Sequence, residues 1–292
     1  MHVHHKTNST KERSLTSMKR TLSALLAILT LIFAFPLSAN AASPKPAASG
    51  ISASYKSVYN DESLVVTVDL SSLSLCDKVT VTVGSQSKTV IPTTKTRPIR
   101  QTAKVTFPAY TFNPGKYTVK VTARNTSGST TKTIGTVTIK NTYTVSSKIL
   151  TVKGVKMSEY KIGSKYTSSR YVSVNGKTVD VAGWQCCGYA RYLQQKLYGR
   201  NSGTSRSYFT KLSGSKNVNV KGAKLKALIQ RAGIGAHIRT VNGHSLVIIG
   251  ITSSGFVIAD ANADNKNTIR TKSYTYENFC KSWGTISYIE VY

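Results

Sequence analysis

Between residues 51 and 140, apolar and polar positions alternate over short runs. Leu64-Val65-Val66-Thr67-Val68, Val79-Thr80-Val81-Thr82-Val83 and Tyr117-Thr118-Val119-Lys120-Val121 repeat with a period of two or nearly so, and Thr136-Val137-Thr138-Ile139 closes the series. On a strand that period sends successive side chains to opposite faces. Asn60-Asp61, Gly84-Ser85, Asn113-Pro114-Gly115 and Ser127-Gly128 supply turns between the runs. No stretch here has helical spacing. About ninety residues of short strands at this spacing predict an all-β sandwich.

Beyond residue 160 the pattern changes. Tyr189, Leu193 and Leu197 recur every fourth residue and predict a helix over 186–198, ended by Gly199. Leu225, Leu228 and Ile229 share a face of a second helix over 223–232, with Gly233 as its stop. Strands are expected at 236–240, 245–251 and 256–259, then a short helix near 275–283 and a last strand at 285–291. Helices first and strands later give an α+β class for this part. The polar stretch 142–160 reads as a connection.

The start of the chain carries an address. Lys19 and Arg20 precede an almost unbroken apolar run from Leu22 to Phe35, Pro36 breaks it, and Ala39-Asn40-Ala41 is a small-x-small cleavage site. The run is short for a membrane span and no stop-transfer charge cluster follows. The expected organisation is a signal peptide at 1–41 (with Met18 as a second candidate start), a linker at 42–50, the sandwich at 51–141, a linker at 142–160 and the second domain at 161–292. The expected location is secreted, extracellular or cell-wall associated, with no stable membrane insertion after signal cleavage. His2, His4 and His5 precede Met18 and are not read as a metal site.

Charge narrows the partners. The 292 residues hold 40 Lys+Arg against 11 Asp+Glu, a formal net charge of +29. Loss of residues 1–41 would leave +25. The basic residues are dispersed, without finger spacing, an aromatic-rich RNA-reading strand or a basic helix leading into heptads, so nucleic acid is not expected. For an exported protein the nearer polyanions are cell-wall polymers or anionic lipid, which attract diffuse positive charge at low salt. Four Cys, two of them adjacent, exclude a disulfide framework.

The chemistry sits in the second domain. Cys186 lies at the start of the predicted helix, directly after Trp184-Gln185. Free backbone N–H groups and the positive end of the helix dipole stabilise a thiolate there. The same groups can hold the oxyanion formed when a thiolate attacks a carbonyl, and Gln185 can add a side-chain donor. His244 follows Asn242-Gly243 and opens a strand; beyond residue 41 the only other histidine is His237, inside a strand pattern and read as a structural or surface residue. Asp260-Ala261-Asn262 comes just past the next strand, and either Asp260 or Asn262 is placed to orient the imidazole. Cys187 points about 100° round the helix and is read as packing.

Gln185-Cys186, Gly243-His244-Ser245-Leu246-Val247-Ile248 and Asp260-Ala261-Asn262 together resemble the signature of CHAP domains, in the papain-like NlpC/P60 group of bacterial cysteine hydrolases. Cys187-Gly188-Tyr189-Ala190 departs from the Thr-Trp-Tyr-like string usual after the nucleophile. The resemblance implies an α+β papain-like (CHAP-type) domain, with Cys186 as nucleophile, His244 as general base and Asp260 or Asn262 as orienting group. It also implies peptidoglycan as substrate, cut as an amidase or endopeptidase. Residues 112–123, with the Asn113-Pro114-Gly115 turn and Tyr117, look like the F-strand region of bacterial immunoglobulin-like surface modules. The expected fold is therefore an immunoglobulin-like sandwich followed by a CHAP-type domain. A secreted cysteine peptidase and a non-catalytic wall-binding protein are the rival readings. No cofactor is expected: Asp260 to Asn265 imitates half a calcium loop, but Asn265 replaces the turn glycine and Thr271 the closing glutamate. The adjacent Cys186 and Cys187 lack zinc-ligand spacing.

Overall fold

A computed structural model describes residues 44–71, 75–96, 99–167 and 170–292. The expected signal peptide lies outside them. The N-terminal strands are β1 (Ile51–Tyr55), β2 (Val58–Tyr59), β3 (Leu64–Leu70), β4 (Lys78–Val83), β5 (Gln86–Val90), β6 (Thr93–Thr96), β7 (Ile99–Phe107), β8 (Gly115–Asn125) and β9 (Gly128–Lys140). They form a four-stranded sheet in the order β1-β3-β7-β6 and a five-stranded sheet in the order β2-β9-β8-β4-β5. The alternation seen in the sequence is the reason. Leu64, Val66, Val68 and Leu70 of β3 point into a core shared with Val79, Val81 and Val83 of β4 and Val119, Val121 and Ala123 of β8. The outward residues of β3, Val65, Thr67 and Asp69, are half-buried or exposed.

Residues 142–160 are not a linker. They fold as β10 (Tyr143–Ser146), β11 (Ile149–Val152) and β12 (Val155–Met157), a three-stranded antiparallel sheet. Leu150, Val152 and Met157 are fully buried in the core of the C-terminal unit. A hairpin of β13 (Tyr171–Val174) and β14 (Lys177–Asp180) follows, then helix α1 (Gln185–Tyr198), the short strand β15 (Thr210–Lys211) and helix α2 (Gly222–Ala232). Strands β16 (His237–Thr240), β17 (Ser245–Ile251), β18 (Gly255–Ala261) and β19 (Ile269–Thr275) precede helix α3 (Phe279–Trp283) and strand β20 (Ile286–Val291). Six of these strands make one antiparallel sheet in the order β15-β20-β16-β17-β18-β19.

This arrangement corrects the expected class. The chain is predominantly β, with twenty strands and three short α-helices among the described residues. That content fits an all-β sandwich and does not fit an α+β papain-like domain following it. The physical reason lies in the short, polar strands. Thr144, Ser146, Thr151, Lys156, Ser173 and Lys177 sit in hairpins whose outer faces are wet, so no apolar run announces them. The helix expected near 275–283 shrinks to five residues because β19 continues through Thr275.

The six-stranded sheet carries helix on each face. Tyr189 and Leu193 of α1 pack with Val247, Ile249, Ala259 and Ala261. Leu225 and Ile229 of α2 and Phe279 of α3 pack with Leu246, Ile248, Phe256 and Ile258 on the opposite face. Strand β17 is thus buried on both faces, which is why it reads as an unbroken apolar run. The two units meet through side chains that complete the backbone of β17. Asn60 Nδ2 donates to Ile251 C=O at 2.5 Å, and Thr142 Oγ1 donates to Ile249 C=O at 2.8 Å.

Candidate active site

The loop entering α1 is sharply bent. Ala182 and Gln185 adopt left-handed backbone conformations (φ 48° and 51°), unusual for residues with a side chain. Neighbours over-determine the bend, as stored strain requires. Asp180 accepts the Ala182 N–H at 2.6 Å and is itself held by Arg170, while Arg191 donates to the Ala182 carbonyl. Gly188 lets the loop lie against the helix: a Cβ there would sit 2.7 Å from the Gly183 carbonyl oxygen. The first bond along the helix runs from Gly188 N–H to Trp184 C=O at 2.9 Å, so the N–H groups of residues 185–187 precede the ladder. Cys186 is buried at this end; Trp184 and Gln185 beside it are exposed.

His244 is delivered by the tight turn between β16 and β17. Gly243 takes φ 78°, Thr240 Oγ1 accepts the His244 N–H at 3.2 Å, and Thr240 N–H donates to His244 C=O at 3.0 Å. The imidazole lies flat on the Trp283 indole, with ring centroids 4.4 Å apart and planes within 4°. Its Nε2 is 3.3 Å from Asp260 Oδ2. Asp260 is completely buried on β18, where Arg270 of the neighbouring strand β19 grips both its oxygens, Nε to Oδ1 at 2.8 Å and Nη2 to Oδ2 at 3.2 Å. Asp260 and Arg270 are cross-strand partners. The buried carboxylate therefore has a permanent counter-charge and one oxygen directed at the imidazole.

Cys186 and His244 bias each other's protons. Burial pushes the Cys186 thiol upward, but the hydrogen bond and charge of His244, the Ser245 N–H and the charge of Arg239 outweigh it and hold the pKa below the ordinary thiol value. Burial pushes His244 down; its hydrogen bonds to Asp260 and Cys186 and their charges outweigh that, leaving the pKa above the ordinary histidine value. Both shifts favour thiolate beside imidazolium. With Nε2 committed to Asp260, Nδ1 is the nitrogen left to exchange a proton with sulfur. Sγ also lies 3.9 Å from the Gly243 carbonyl, which can accept the thiol proton.

Three of the expected residues, Cys186, His244 and Asp260, thus converge. Asn262 does not. Strand β18 ends at Ala261 and Asn262 turns left-handed (φ 67°), so the alternation that would keep it on the face of Asp260 is broken. Its Oδ1 instead accepts the Asn267 N–H at 3.0 Å, while Asp264 Oδ1 accepts the Lys266 N–H at 2.9 Å. These are turn-closing bonds within one loop. Gln185 is beside Cys186 with an exposed side chain. His237 lies buried in β16, its Nδ1 3.0 Å from Glu290 Oε2.

Arg270, Trp283 and Arg239 complete the site and were not picked out from the sequence. Trp283, one of two tryptophans, carried the available signal, since a scarce, large aromatic near a predicted helix end invites a stacking role. Arg270 is ten residues from Asp260, and only the register of the β18–β19 hairpin joins them. No family model and no curated protein sequence matches this chain.

Proposed function

We propose that this protein is a cysteine-nucleophile hydrolase of amide bonds, with cell-wall peptidoglycan as its substrate. The observation that carries the reading is the buried relay Cys186–His244–Asp260, in which the thiol is lowered and the imidazole raised. The Cys186 thiolate attacks the amide carbonyl, and the N–H groups at the start of α1, with the Gln185 carboxamide, donate to the oxyanion. His244 then passes its Nδ1 proton to the leaving nitrogen, the C–N bond breaks and a thioester remains. Neutral His244 next takes a proton from water, hydroxide adds to the thioester, and the acid leaves as the thiolate is restored. Asp260 keeps Nε2–H of the ring in place and stabilises each imidazolium, while Arg270 and Trp283 fix the carboxylate and the ring plane.

Peptidoglycan is favoured by the CHAP-like motifs around Cys186, His244 and Asp260 and by the large positive charge. The secretory pattern at 18–41 supports export to where that substrate is found. The test is a paired digest of peptidoglycan and of a denatured protein by residues 42–292, wild type and Cys186→Ala, under reducing conditions with products read by mass spectrometry. Release of muropeptides that depends on Cys186 is the expected result. Cleavage of protein alone would make it a secreted peptidase. Wall sedimentation with no product from either substrate would make it a binding protein.

A further inference from the structure

A recess opens beside the loop that leads into α1. Its volume is about 320 Å³, and Arg191, Arg206 and Lys211 line it together with Tyr288, Phe209 and the one carboxylate, Glu290. Its wall reaches the loop that leads to Cys186 through Arg191, which donates to the Ala182 carbonyl. A Cβ placed on Gly183 would lie 3.1 Å from the Arg191 guanidinium and 3.5 Å from Cys187 Sγ, so both side chains face Gly183, three residues ahead of Cys186. Arg239 is the cross-strand partner of Tyr288, and its charge acts on both Tyr288 and Cys186.

The charges in the recess do not balance. Glu290 is engaged by His237 at 3.0 Å, and none of Arg191, Arg206 and Lys211 forms a salt bridge among the described residues. Lys211 instead rests on the Tyr288 ring, 4.3 Å from its centroid. Arg191 donates from its guanidinium to the Ala182 carbonyl, and its positive charge is not neutralised there. Three cations around one cavity, against a single carboxylate that His237 already engages, leave a net positive charge that a further anion would offset. A planar guanidinium matches a carboxylate, whose two oxygens can be held by paired N–H donors.

We infer that this recess binds a carboxylate of the substrate close to the scissile amide and so sets which bond lies across Cys186. The inference deepens the hydrolase reading and rests on it for the identity of the ligand as substrate. Binding is measured calorimetrically on the full chain carrying Cys186→Ala, with N-acetyl-dialanine as the free acid and as its C-terminal amide. The acid is expected to bind about tenfold more tightly, as a charge-assisted pair would. The difference is expected to vanish when Arg206→Gln and Lys211→Gln, both exposed positions, are added. Equal binding of acid and amide, or a preference that survives the double substitution, would overturn it. So would inorganic phosphate displacing the peptide at lower concentration than acetate, which would assign the recess to phosphate. Acid-selective binding alongside an inert wild-type protein would remove the enzyme and keep the recess. Hydrolysis without acid selectivity would do the reverse.

Discussion

In the N-terminal sandwich, β3, β4 and β8 each turn one face to the core and the other toward solvent, whereas β17 and β18 of the C-terminal unit are buried on both faces. The polar groups they bury differ accordingly. The sandwich buries neutral amides that tie down loops: Gln101 clamps the N–H and C=O of Cys76, and Asn125 donates to Pro44 C=O. The C-terminal unit buries His237, His244 and Asp260. Burial of ionisable groups opposes folding unless partners compensate. A fold needing only stability has no use for them, so their concentration in one unit marks that unit as the candidate for chemistry.

Asp260→Ala should break this comparison most forcefully. It leaves Arg270 and His244 facing an empty buried site, and a loss of about 3–5 kcal/mol is expected, as when one partner of a buried pair is removed. Asp69→Ala, on the exposed face of β3, should stay within about 0.5 kcal/mol. Urea unfolding of both variants checks the contrast. Asp260→Asn keeps the volume, and its readout is pH dependence. Because the folded His244 pKa is raised, its contribution to stability is full below the ordinary value of 6.5 and is lost as pH rises through the folded value. The lowered Cys186 pKa works oppositely: its contribution is full above 9.0 and is lost as pH falls through the folded value. In wild type, alkylation of Cys186 by iodoacetamide should therefore persist well below pH 9, and Asp260→Asn should shift that profile upward as the imidazolium weakens.

Val121→Ala sharpens the same contrast from the other side. Val121 is fully buried in the sandwich, and its truncation should cost about 2–3 kcal/mol in transfer and cavity terms. Hydrolysis per folded molecule should be unchanged. An equal drop in kcat/KM at a temperature where the variant is still folded would show that the sandwich takes part in the reaction.

Gly188→Ala acts locally. The new methyl would stand 2.7 Å from the Gly183 carbonyl oxygen and 3.0 Å from the Tyr166 hydroxyl, so the loop carrying Gln185 must move. About 1–3 kcal/mol of overpacking is expected. The larger effect should fall on kcat, because the nucleophile and its oxyanion donors shift together. Gly176→Ala has open space around it but a left-handed φ of 76°, so it should lower stability without touching turnover.

The sandwich was legible because alternation and turns both report on single strands. The candidate nucleophile was legible for a similar reason: Cys186 opens a helix whose period is visible in Tyr189, Leu193 and Leu197. What remained hidden depends on register. Leu150, Val152 and Met157 looked like parts of a polar connection because each lies in a strand of three or four residues whose outward neighbours are polar. Arg270 and Trp283 come to Asp260 and His244 through strand pairing and ring stacking that no local spacing encodes.

Asp260 and Asn262 looked equivalent in the sequence, and their separation is the smallest and most specific prediction. Asn262→Gly keeps the left-handed backbone accessible while removing the hydrogen bond from Asn267 N–H. It should lower stability by about 0.5–1.5 kcal/mol, the net worth of one such bond. The pH profile of Cys186 alkylation and the value of kcat should match wild type, because nothing between Asn262 and the imidazole is lost. If Asn262→Gly instead reproduced the profile of Asp260→Asn, the carboxamide would be reaching the ring in the working enzyme. The 3.3 Å contact between His244 Nε2 and Asp260 Oδ2 would then be only one of two arrangements the site adopts.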